Sequence, residues 1–542
     1  MEDDLNNQEE NNDNNTQQNN TENMYSYRDN SQNVPESGAI RRSMGDMNPS
    51  NVNYYNNKYN LKNKNNNDIY DNNNQFDISE KSSENRNINN MTNYHWITFL
   101  FIAGLEAAII FCLALLLEIE FNPREFNKSA YDINQTKEEM KNSDYAQIRD
   151  LNIIVFIGFG LLHSILKRNA WTCMLVNMLL IAFAFQVALF FNFVWGMAFK
   201  ETWAKGTLDF QYISEAIFIS SSVAITYGSV LGKVSILQYL VMAFFEVILV
   251  TMNFQLGKEK LELVDTGGAI YVHTFGAVFA ISVNVVLFCS TKAKEKLQRY
   301  ESLNRSSYFS NITSFLGLLF LFIYLPNFNG VLSMEYKNIN RARINTYLSL
   351  FGSVVGSLVT SGIINQGKIV LEQILYGTLS GGIIISGCCS VCFYLWAALI
   401  VGTLSGAIAV ALLSKLKPVL IELGLRDTCN VLLTHGVFGI LGGFISPMFI
   451  SGLNKEKIGG YKLFIDINRS AERQAGIQVG GLFISIGISF IGGIATGFLM
   501  KVSLCNEINW PFTDAEYFKE LNDERDLRLA NDDDKGSQPS YN

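Results

Sequence analysis

Two segments of this chain carry the same chemistry at the same spacing. DTGGAIYVHTFGAVFA begins at Asp265, and DTCNVLLTHGVFGILGG begins at Asp427. Both open Asp-Thr, and both place a histidine eight residues after the Asp, at His273 and His435. Eight residues rise about 12 Å along a helix. Each Asp therefore falls at a helix start and each His near the middle of an apolar span. The chain has only four His, the others being His95 and His163, which nearly excludes a His-rich metal centre. A single His in an apolar helix reads first as a packing residue with its hydrogen bonds met. Two at matched depth in matched segments reverse that reading, because ionisable groups inside a bilayer default to function.

A charged imidazolium is out of place in an apolar channel, whereas two neutral rings can share one proton, N–H to N. Such a pair is a poor site for a hydrated alkali ion. A metal would need more His, Cys or carboxylate ligands, so no metal and no cofactor is expected. The pair can hydrogen-bond a small neutral amine or hydride. The solute that fits best is charged in water and neutral after losing a proton. Ammonium is one, if it is deprotonated at the mouth and crosses a dry channel as ammonia.

The surrounding elements must hold these rings in lipid. Of 542 residues, 48% are hydrophobic and only 17% charged, where about a quarter charged is usual for soluble domains. The net charge of −8 leaves no basic stripe, which argues against nucleic acid. Eight Cys without regular spacing exclude a small disulfide scaffold. The mean hydropathy of +0.12 blends unlike parts. Residues 1–93, with runs such as NNDNNTQQNNTEN, read as a disordered Asn-rich cytosolic tail, and 504–542 as an acidic one. Between them, apolar runs of roughly 20 residues recur, each long enough to cross the bilayer. They predict twelve transmembrane helices, at 95–117, 151–167, 173–199, 211–232, 235–256, 267–290, 308–326, 344–364, 374–393, 395–415, 431–452 and 475–503.

The expected fold is therefore an all-α polytopic membrane protein. An even span count puts both tails on one side, and the basic turns Lys167–Arg168, Lys292–Arg299 and Lys415–Lys417 make that side cytosolic. An extra N-terminal helix over 94–118 would lead to an extracellular loop over 119–150. That loop holds two glycosylation sequons, at Asn127 and Asn134. Two five-helix blocks follow, 151–291 and 307–452, then a last helix over 474–503. Each His sits in the fifth span of its block, and the two spans enter from opposite faces. That is the pattern of inverted repeats meeting at a midplane site.

These residues resemble the Rhesus (Rh) glycoprotein branch of the ammonia/ammonium transporter superfamily. GFGLLHSILKRNAW, YGSVLGKVS, DTGGAIYVHTFGA, LPNFNGVLS, RARINTYLSL, GTLSGG and the DTC-x5-HG segment occur in the order of Rh blocks. The tail segment PFTDAEYF resembles the Rh cytosolic motif. The resemblance covers most of residues 150–520. It implies a homotrimer in the plasma membrane with one pore per subunit, eleven core helices and one extra. His273 and His435 match the family's twin pore histidines. Phe218 and Phe328 match its external gate, although either alone would read as core among 38 Phe. Asp265 matches an acid tied to attracting or deprotonating ammonium, and it reads equally as a helix cap. Asp427, its repeat partner, reads as a structural anchor.

Some positions depart from the family pattern. Ile217 replaces the acid before the first gate Phe, Phe254 replaces an acid eleven residues before Asp265, and Tyr376 replaces an Asn. Glu215 is a candidate substitute for the missing vestibule acid, while Glu106 and Glu246 read as helix–helix partners or interface groups. The expected function is passive, electroneutral ammonia conduction. The alternatives are a structural or sensory Rh-like protein that does not conduct, or a channel for carbon dioxide or methylamine. No nucleophile–base constellation and no P-loop is visible, so neither an enzyme nor an ATP-driven pump is expected.

Overall fold

The structure is a computed structural model that describes residues 98–119, 145–203, 206–333, 336–452, 469–502, 505 and 507–518. The tail expected over 1–93, both sequon residues Asn127 and Asn134, and the acidic stretch after 518 lie outside the described residues.

The protein is an all-α polytopic membrane protein. Among the described residues, eleven helices are long and apolar enough to cross a bilayer. In chain order these are α1 Thr98–Leu116, α2 Tyr145–His163, α3 Ala170–Lys200, α4 Phe210–Val230, α5 Ile236–Leu261, α6 Ala269–Phe288, α7 Tyr308–Gly330 and α8 Asn338–Ile364. After the shorter α9, Leu371–Ser386, come α10 Leu395–Glu422, α11 Leu432–Ser451 and α12 Ala471–Leu499. The expected count of twelve is thus eleven by length, because the run read over 374–393 yields a helix of 16 residues. Its last part turns instead of continuing. Asn345 donates from Nδ2 to the carbonyls of Cys389 and Cys392 at 2.8 and 2.7 Å. Irregular backbone at this depth survives because a buried side chain satisfies it. A second difference lies in α2, which begins at Tyr145, six residues before the expected span. Its polar first turn is held by Gln147, which donates to the Val331 carbonyl at 3.1 Å.

Burial sorts the helices by role. In α1 only 6% of the most apolar window is buried, whereas in α4 the figure is 94%. α4 is thus the interior column, and α1 presents Phe99, Leu100 and Phe111 outward, as a lipid-facing helix does. The only described strands are Leu117–Ile119, directly after α1, and Gly206–Leu208, which pair in parallel.

Local chemistry fixes the helix starts. Asp209 accepts from the Tyr212 N–H to cap α4, and Ser235 with Gln238 forms a capping box on α5. Small residues set the closest crossing. Gly352 and Gly356 of α8 lie against the Leu399–Thr403 backbone of α10, while Gly402 and Gly406 lie against Ser349 and Ser353. Without an aqueous driving force between helices in lipid, this close contact and its dispersion energy hold the pair.

PFTDAEYF folds against two turns of the bundle. The Phe512 N–H donates to the Gly232 carbonyl at 2.8 Å, and the Asp514 carboxylate accepts from the Trp171 and Thr172 N–H groups at the start of α3. A carboxylate at a helix N-terminus meets both the orphan donors and the positive end of the dipole. Burial raises the Asp514 pKa above its ordinary value.

Candidate functional site: two capped half-helices and a column of rings

α6 and α11 begin alike. The Ile270 and Tyr271 N–H groups donate to Asp265 Oδ2 at 2.8 Å each, and the Leu432 N–H donates to Asp427 Oδ2 at 2.7 Å. Each carboxylate therefore reaches the amide five residues on. Three residues after each Asp the backbone is left-handed, at Gly268 (φ +78°) and Asn430 (φ +51°). Gly and Asn are the residues that accept this conformation at least cost. Beyond it, both helices open with a π turn, Ala269–Thr274 and Leu432–Gly436, and each turn contains its His. A π turn adds one residue to the circuit and re-aims the side chains that follow.

The consequence is contact. His273 Nδ1 and His435 Nδ1 lie 3.1 Å apart, with ring centroids at 5.2 Å. Both residues are buried, at 3% and 5% exposure. One ring must carry the shared proton on Nδ1, and its Nε2 is then a bare acceptor. His273 Nε2 is enclosed without a partner among the described residues. The crossing needs Gly439 of α11, since a Cβ there would sit 2.8 Å from the Thr274 nitrogen and 3.1 Å from His273 Cβ.

Next to His273 lie Phe328, at 6.3 Å between centroids, and then Phe218, stacked on Phe328 at 4.7 Å and 28°. Phe328 is held from both sides. Asn329 donates to the Gly382 carbonyl and to Thr346 Oγ1, both at 3.0 Å, and Asn327 donates to the Asp150 carboxylate. Phe218 is pressed by the Gly268 turn, where a Cβ would fall 2.7 Å from its Cζ. The structure thus brings Phe218, Phe328, His273 and His435 into one file of rings.

Beyond His435 the file continues into residues to which the sequence reading gave no role. Phe159 of α2 lies 6.2 Å from the His435 ring, and His163 lies 5.6 Å from Phe159. The signal was available, since four residues separate Phe159 from His163 on one helix and put both on one face.

The other positions singled out in the sequence fall in several parts of the bundle. Glu215 is not a free acid, because Lys258 Nζ lies 2.6 Å from its Oε1. Phe254 packs edge-on against Tyr271 at 5.1 Å, and Tyr376 is buried. Ile217 is buried too. Glu246 accepts from Ser222 and Thr226 at 2.7 and 2.8 Å, which joins α5 to α4. Asp265 itself is 2% exposed, and its second oxygen has no partner among the described residues. The carboxylate therefore caps α6 whatever else it does. An Asp265→Ala variant is expected to lose about 1–2 kcal/mol of stability, while Asp265→Asn keeps an acceptor oxygen and most of that stability. Thermal unfolding of the purified proteins checks this, and an Asn variant as unstable as the Ala variant would contradict the capping role.

The eleven apolar helices and the buried imidazole contact make this a polytopic membrane protein with a file of rings inside its bundle. Comparison with known proteins specifies it further. The Ammonium Transporter Family matches residues 110–517, and the chain belongs to that family, on its Rh branch. It is 32% identical to the rat ammonium transporter Rh type C over 69% of this chain and 76% of that protein. To the bovine Rh type C protein it is 28% identical, over 83% and 99%. Among solved structures it resembles Nitrosomonas europaea Rh50 with a TM-score of 0.60 and 23% identity, covering 74% of this chain and 99% of that one. It resembles Candida albicans Mep2 with a TM-score of 0.53 and 18% identity, over 73% and 92%. Membership in a transporter family makes the protein a transporter and not an enzyme.

Proposed function

We propose that this protein is a Rh-type ammonia channel that works passively and without net charge movement. The observation that carries the proposal is the enclosed Nδ1–Nδ1 contact between His273 and His435. The names of the Rh type C relatives support the substrate. In this reading ammonium loses its proton at the mouth near Asp265. Ammonia then passes between Phe218 and Phe328 as the rings part. It crosses the imidazole pair by exchanging hydrogen bonds with bare ring nitrogens, and regains a proton at the Asp427 end. A dry path excludes ions because stripping an ammonium or sodium ion of water in a low-dielectric lumen costs far more than stripping ammonia. With Glu215 tied to Lys258, Asp265 is the acid left to serve the mouth, and Asp427 anchors the opposite half-helix.

The proposal extends to the assembly. Twelve spans arise if α9 is counted, as two inverted five-helix repeats with one helix before them and one after. The subunit works as a homotrimer in the plasma membrane with both termini cytosolic. The test is a proteoliposome subjected to an ammonium jump, with internal pH and membrane current read together. Internal alkalinisation faster than in empty liposomes, with no matching current, is expected. Rates equal to those of empty liposomes would remove the proposal, and a current that tracks the flux would replace electroneutral with electrogenic transport.

A further inference from the structure

The file of rings does not end at the paired histidines. His163 closes α2 and is 2% exposed. Phe159 stands between it and His435, and Tyr227 meets it edge-on at 5.4 Å. No hydrogen-bond partner among the described residues reaches its Nδ1, which is enclosed. The nearby Tyr227 hydroxyl does not supply one, since it donates to the Cys173 carbonyl at 3.2 Å. The Nε2 edge faces Gly228, where a Cβ would come within 2.8 Å of it. The backbone of Gly228 in turn accepts from the Cys429 N–H at 3.2 Å, so the ring lies against the turn that leads into α11. His163 thus lies on the side of the pair where the Asp427 turn leads into α11.

An imidazole nitrogen enclosed without a partner is an unmet hydrogen-bonding group. A packing role at this position would be served as well by Leu or Met, without that penalty. His273 Nε2, in the central pair, is in the same condition. We propose that His163 is a third binding station for a small amine, which receives ammonia after it has passed His435 and Phe159. The inference rests on the conduction proposed above. Its chemistry is a hydrogen bond between a neutral imidazole and a solute that both donates and accepts, so no proton need move at this point. A station here would bridge the dry path between the central pair and the polar turn at Asp427.

The experiment compares wild type with His163→Met, which fills the space without hydrogen bonding, and His163→Gln, which can still bond. In ammonium-jump proteoliposomes the Met variant is expected to slow ammonia flux about fivefold, the equivalent of one net hydrogen bond. The Gln variant should recover most of the loss. Independently, wild-type protein labelled with ¹⁵N-histidine should show a ring resonance, absent from the Met variant, that shifts on adding ammonium or methylammonium. A Met variant that conducts like wild type, or a His163 resonance that ignores both solutes, overturns the inference. If the Met variant does not fold, the His163→Gln protein, which also lacks the ring, assigns the resonance and its shift in wild type decides. Wild-type flux no faster than empty liposomes would instead count against conduction itself, and a His163 shift would then still mark an amine site.

Discussion

Replacing either member of the central pair, as His273→Leu or His435→Leu, is expected to cut ammonia flux at least about tenfold, the size of one buried polar group left unsatisfied. Each ring now meets the other's Nδ1 at 3.1 Å. Removing one strands that nitrogen, and the stranded ring is free to turn out of the file. The two variants should differ in severity. His435→Leu leaves His273 with both nitrogens unpaired, because its Nε2 already lacks a partner. The double replacement leaves no stranded imidazole at the pair itself. It should therefore unfold at a higher temperature than His435→Leu while conducting no better. A double-mutant cycle, read by thermal unfolding and by proteoliposome flux in parallel, separates the two effects. Single variants with wild-type flux would sink the role of the pair, and strict additivity in stability would sink the shared proton.

The sequence made the pair visible because spacing survives where geometry does not. Eight residues from Asp to His, twice, is a pattern that a reader can count. The devices that turn this spacing into contact were not countable. A π turn inserts one residue into a helical circuit and leaves hydropathy unchanged, so periodicity does not register it. The left-handed Asn430 was no more readable than any other Asn. Gly439 could be recognised as a glycine, but not as the position where α11 crosses His273.

Other features were hidden by sequence separation or by composition. Glu215 appeared free because its partner Lys258 lies 43 residues away. The run at 374–393 has the composition of a span, yet ends as a helix at Ser386. Past that end, Asn345 on another helix satisfies two carbonyls that continued helix would otherwise have paired. His163 illustrates the opposite case. It was in plain view as one of four His, and only the rings around it suggest a use. Composition and period therefore gave the membrane bundle and the paired histidines. The contacts that aim the rings depend on residues distant in sequence.

The aromatic pair gives the sharpest test of what keeps the path dry. Phe218 and Phe328 are stacked at 4.7 Å and at most 2% exposed, so on the proposed path together they would close it beside His273. Removing one ring leaves the other free to lean into the space, and Gly268 limits where Phe218 can go. Single Phe218→Ala or Phe328→Ala variants are thus expected to conduct ammonia near the wild-type rate without current. Removing both opens a gap bounded by the imidazole face, which is polar enough to hold water, and a cavity with polar partners fills where an apolar one stays empty. A continuous water file lowers the barrier that excludes ions. The Phe218→Ala/Phe328→Ala protein should therefore carry a measurable cation current under an ammonium gradient, while its ammonia flux does not fall. Currents in the double variant no larger than in empty liposomes, with flux intact, would mean that the imidazole pair alone holds the ions back. A loss of ammonia flux in the double variant would show instead that the rings hold the path open.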